Sequence, residues 1–141
     1  MKNTKLHSNT IFFLLHIIPG AFWIMAGIGQ ILSAYTSSKT FYWISIALIF
    51  FSLILIALPA VFCQTDEPDE MFDYNLMKAK AKTLSIMHWV LCTIAVVGAC
   101  TIAVFQKFEI PCEMTIVGFI EMSLGIKDII LSIVFRRLEA E

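Results

Sequence analysis

Charge is what this chain has least of. Only 15% of its 141 residues are charged and 59% are hydrophobic, with a mean hydropathy of +0.83. Soluble domains carry about 25% charged residues. So few charges cannot wet a whole surface, which argues for an integral membrane protein over a soluble domain. The formal net charge of −1 gives no basic excess to draw nucleic acid, so no such partner is expected.

Catalytic motifs are missing as well. There is no G-x-S-x-G, no H-E-x-x-H, no phosphate-binding loop and no D-x-x-D pair within an apolar run. An enzyme is therefore not expected. The four cysteines, Cys63, Cys92, Cys100 and Cys112, form no C-x-x-C, and the histidines no H-x-x-x-H. Neither a zinc site nor a cofactor is expected from them. Cys92 and Cys100 would lie about 12 Å apart along one helix, too far for a disulfide. They read as buried free thiols acting as small hydrophobes.

What the chain does have is four long apolar runs, at about residues 10–35, 40–63, 83–105 and 113–135. Each is long enough to cross a bilayer, which takes about 20 residues in a helix. The expectation is an all-α integral membrane protein, an antiparallel four-helix transmembrane bundle with short loops in a single domain. The first run is longer than a signal-peptide core of about 7–15 residues and no A-x-A site follows, so it reads as a retained helix. Phe41, Tyr42 and Trp43 open the second run, as residues of an interfacial aromatic belt do.

Segment 64–82 is the one substantial polar stretch, acidic first (Asp69, Glu70, Asp73) and basic last (Lys78, Lys80, Lys82). It reads as a helical extension of the third span, with a docking surface for a soluble partner or anionic lipid as the alternative. Lys2, Lys5, Lys78, Lys80, Lys82, Arg136 and Arg137 fall on one side of the spans, against Lys39 and Lys107 on the other. The positive-inside rule then places both termini and the 64–82 segment in the cytoplasm.

Small or polar residues recur seven apart in the runs. Gly20, Gly27 and Ala34 mark the first, Ser45, Ser52 and Pro59 the second, and Gly118, Gly125 and Ser132 the fourth. In the third, His88, Cys92, Ala95 and Ala99 follow a 4-3-4 spacing. Such stripes let membrane helices approach closely.

Against this seam stand the ionisable residues. Glu121 and Asp128 each follow a seam glycine by three positions, and His16 and His88 fall on the seam side. His16, His88 and Asp128 would each lie about 8–11 Å inside the cytoplasmic edge at a rise of 1.5 Å per residue. They are expected to form one polar cluster, with Glu121 alone further out. Lys127, about 200° round from Gly125, is expected to point away with Ser123, toward lipid, a second subunit or a membrane partner.

Two functional readings stay open. One is a small ion- or proton-coupled transporter using Glu121, Asp128, His16 and His88, because ionisable groups inside spans mark such pathways. The other is a non-catalytic accessory or regulatory membrane protein acting through helix contacts and the 64–82 segment.

Overall fold

A computed structural model describes residues 8–62, 70–108 and 112–140. Four helices account for nearly all of them: α1 (Ser8–Thr36), α2 (Lys39–Phe62), α3 (Glu70–Lys107) and α4 (Glu113–Ala140). No strand occurs among the described residues. Two residues link α1 to α2. Ser37 takes a left-handed φ of 52°, the conformation that ends many helices, and Ser33 Oγ donates to the Ser38 carbonyl at 3.0 Å.

The helices stand in a row, in the order α2–α1–α4–α3. Register shows that each neighbouring pair is antiparallel. On α1 and α4, Gly20 meets Gly125 and Gly27 meets Gly118; on α1 and α2, Gly29 meets Ser45 and Phe22 meets Phe51. On α3 and α4, Gly98 meets Phe119 and Phe72 meets Phe135. The starts of α1 and α3 and the end of α4 therefore share one end of the molecule.

That end is closed by a cluster of ordinary globular character. Phe135 is 1% exposed and touches the rings of Phe12 and Phe72, at centroid distances of 4.5 and 5.0 Å, with Ala79, Leu131 and Leu138 beneath. Asn75 Nδ2 donates to Glu139 Oε1 at 2.7 Å beside it. Segment 70–82, polar in sequence, is thus the start of α3 and is docked on α4 through Phe72, Leu76 and Ala79.

Elsewhere the usual sorting of side chains is inverted. Ala26, Ser45, Ser52, Thr115 and Ser132 are fully buried, whereas Trp43, Phe50, Leu84 and Trp89 are more than half exposed. Large apolar side chains outside and small or polar ones between helices is the arrangement suited to an apolar solvent. Helices α1, α2 and α3 are each long and apolar enough to cross a membrane. Helix α4 falls short of that measure, with Glu121, Lys127 and Asp128 all in its central stretch.

The small-residue stripes predict three of the four inward faces. Ser45 and Ser52 of α2 are buried, as are Gly20, Gly27 and Ala34 of α1 and Gly118, Gly125 and Ser132 of α4. The side chain of Pro59 lies outside those described. In α3 the stripe is displaced: Asn75, Ala79, Thr83, Met87, Gly98 and Phe105 are buried, while His88, Cys92, Ala95 and Ala99 are exposed. Cys100 is exposed too, so neither it nor Cys92 is the buried thiol expected.

Candidate functional site at the crossing of α1 and α4

The two glycine stripes meet each other, backbone against backbone. A methyl group added at Gly118 would stand 2.5 Å from the Gly27 carbonyl oxygen and 2.8 Å from Ile31 Cγ1. One added at Gly20 would stand 2.9 Å from the Gly125 carbonyl oxygen. Only hydrogen fits at these positions, so the two backbones lie in direct contact. One heptad further along, Ser132 Oγ donates to the Phe13 carbonyl at 3.3 Å, joining the helices by a hydrogen bond.

Three buried polar side chains lie within one turn of the Gly27–Gly118 contact. Gln30 follows Gly27 by three positions, and Thr115 and Glu121 lie three before and three after Gly118. Their exposures are 3%, 0% and 6%. Gln30 Oε1, Thr115 Oγ1 and Glu121 Oε2 each lack a hydrogen-bond partner among the described residues. Buried polar atoms left unmade cost about 1–3 kcal/mol each, and more for a charged group. Close backbone contact brings this about: with no side chain at the two glycines, the flanking residues are drawn into the interface.

The histidine–aspartate cluster expected from sequence does not form. His16 Nδ1 donates to the Phe12 carbonyl at 2.8 Å and its ring lies on Phe12, 4.1 Å between centroids. Asp128 Oδ1 pairs with Lys127 Nζ at 3.0 Å. His88 is on the exposed face of α3, edge-on to Trp89 at 6.0 Å. No hydrogen bond or ion pair joins these three residues. The reason is the displaced stripe of α3, which buries Met87 and turns His88 outward, together with the row order, which stacks α3 on α4.

Lys127 is 48% exposed and tied to its neighbour Asp128, and it borders an open groove between α4 and α3 together with Ser123, whose hydroxyl donates to the Phe119 carbonyl at 2.7 Å. Among the polar-segment candidates, Glu70, Asp73, Lys78, Lys80 and Lys82 are exposed on the first turns of α3, with Lys78 Nζ 5.9 Å from the Tyr74 ring centre. Asp69 lies outside the described residues.

Glu121 is buried, 6% exposed, and no ion pair to it occurs among the described residues. Gln30 and Thr115 were not singled out by the sequence reading. A rule admitting uncharged polar residues three positions from a seam glycine would have found both. Among the described residues no three His, Cys, Asp or Glu side chains converge as metal ligands.

No protein-family model, curated protein or solved structure matches this chain. The chemistry of the crossing is read from its own residues.

Proposed function

We propose that the protein is a four-span membrane protein that takes up a proton or small cation at Glu121 as part of its passage across the bilayer. Both termini and the start of α3 lie on the cytoplasmic side in this reading, following the lysine and arginine distribution. One observation carries it: a carboxylate about a third of the way along α4, 6% exposed, with an oxygen that no group among the described residues satisfies. An ionisable group inside a span is costly, about 3 kcal/mol on insertion scales, and such groups face an ion pathway or one another. Gln30 and Thr115 add two unpartnered oxygens in the same interface, and oxygen donors are what hard cations and protons take.

The test is flux in liposomes containing the purified protein, with a pH gradient or a sodium or potassium gradient imposed. Wild-type protein dissipates one of these gradients and Glu121→Gln does not. A wild-type protein that moves none of the three ions refutes the proposal.

A second reading, an accessory protein that docks on another membrane protein, is favoured by the open row. The outer faces of α2 and α3 carry large apolar side chains with no helix against them, Trp43 and Trp89 among them. Crosslinking from the 64–82 segment in native membranes, yielding one defined partner, would support it.

A further inference from the structure

Helix α3 packs mainly on α4, touching α1 only at ring contacts such as Phe12–Phe72 and Tyr35–Phe105, and the α3–α4 pair leaves a groove along each flank. The larger apolar one has a volume of about 560 Å³. Lys80 and Lys127 border it toward one end, and Leu84, Leu91, Ile120 and Leu124 line the rest. Because α3 and α4 are antiparallel, both lysines lie toward the end closed by Phe72 and Phe135. From Leu84 to Leu91 the apolar wall runs for about 10 Å at 1.5 Å per residue.

A cation-lined mouth above an apolar channel is the complement of an amphiphile with an anionic head. We infer that this groove binds an anionic phospholipid of the surrounding leaflet, with its phosphate at Lys80 and Lys127 and an acyl chain along the leucines. The inference rests on the membrane reading above and not on Glu121.

Three further observations fit. Thr83, 4% exposed, lines the same groove, and its hydroxyl has no partner among the described residues. Lys80 is exposed, and among the described residues no ion pair involves it. On the other flank of the α3–α4 pair the second groove, of about 550 Å³, is bordered by Lys82 and Arg137, so basic residues crowd this end of the hairpin on both sides. Asp128 offsets part of the charge, since it holds Lys127 at 3.0 Å. A phosphate at the mouth would share or displace that carboxylate. Basic pockets between helices near the cytoplasmic surface are where such headgroups bind.

The experiment is native mass spectrometry of the full chain in detergent, titrated with dioctanoyl phosphatidylglycerol, dioctanoyl phosphatidylcholine or glycerol 3-phosphate. Wild-type protein binds the glycerol lipid in preference to the choline lipid and retains no glycerol 3-phosphate. Lys80→Gln and Lys127→Gln each weaken phosphatidylglycerol binding about fivefold, the equivalent of about 1 kcal/mol per basic residue near the surface. Asp128→Asn strengthens it by freeing Lys127, and Lys107→Gln, at the far end of α3, leaves it unchanged.

Equal binding of the two lipids, or a preference that survives in the Lys80→Gln/Lys127→Gln double variant, overturns the inference. So does glycerol 3-phosphate binding as tightly as the lipid, which would make the site one for free phosphate. Flotation with phosphatidylcholine vesicles separates the two levels of argument. A protein that floats but shows no lipid preference refutes only the groove, and one that does not float removes the membrane reading with it.

Discussion

Alanine substitution at two glycines of this chain should act in opposite directions. Gly118→Ala places a methyl group 2.5 Å from the Gly27 carbonyl oxygen and 2.8 Å from Ile31 Cγ1. Ordinary contact begins at 3.4 Å, and the nearest atom is backbone, which cannot rotate aside. Helices α1 and α4 must therefore part by roughly 1 Å, a gap that forfeits a quarter to a half of the dispersion energy at each affected contact. Overpacking of this kind costs about 1–3 kcal/mol. Replacing glycine by alanine inside a helix returns up to about 1 kcal/mol. The net expectation is a loss of about 1–2 kcal/mol. Gly98→Ala supplies the control, because the atoms nearest its added methyl all belong to the Phe119 ring, the closest at an ordinary 3.4 Å. There the propensity gain stands nearly alone, and stability should hold or rise by up to about 1 kcal/mol. Reversible unfolding in mixed micelles, followed by circular dichroism, measures both. If Gly118→Ala is as stable as Gly98→Ala, the backbone contact between α1 and α4 is wrong, and the buried polar trio around it loses its setting.

Further tests reach the remaining parts of the fold. A methyl at Gly29 would collide with Ser45 Oγ but sit 3.6 Å from Ser45 Cβ, so Gly29→Ala should destabilise and Ser45→Ala should rescue it. Unfolding of the two singles and the double should give a coupling of about 1–2 kcal/mol, in the range for residues in contact. Phe135→Ala, at a side chain 1% exposed, should cost about 3–5 kcal/mol in the same assay and loosen the ends of α1, α3 and α4 together, read as faster amide exchange there. His88→Ala should change stability by no more than about 0.5 kcal/mol, as an exposed residue does. A loss several times larger would restore the polar cluster that the structure removes.

The extent and number of the helices were legible in the sequence because they rest on lengths of apolar chain, which follow from composition alone. The glycine stripes were legible for a different reason. Gly20, Gly27, Gly118 and Gly125 have no side chain, so wherever two helices come closest these positions must face each other. His88 marks where this logic stopped. Along residues 83–105 of α3 apolar residues occur on every face, so periodicity could not separate inward from outward positions. Small residues such as Ala95 and Ala99 are as comfortable on the outside as between helices, and the sequence reading chose the wrong stripe. The lysine and aspartate at 127 and 128 show a related limit. Angular position on an ideal helix set them apart, but long side chains can bend, and the 3.0 Å ion pair brings them together.

Sequence alone thus determined the four helices and the long apolar runs that three of them carry, since these follow from the chain's own composition and spacing. Tertiary structure decided the partners: α4 against α1 through glycine, α3 against α4, and Gln30, Thr115 and Glu121 all buried in the α1–α4 interface. Where apolar solvent gives no reason to bury one apolar face over another, the fit of backbone to backbone makes that choice.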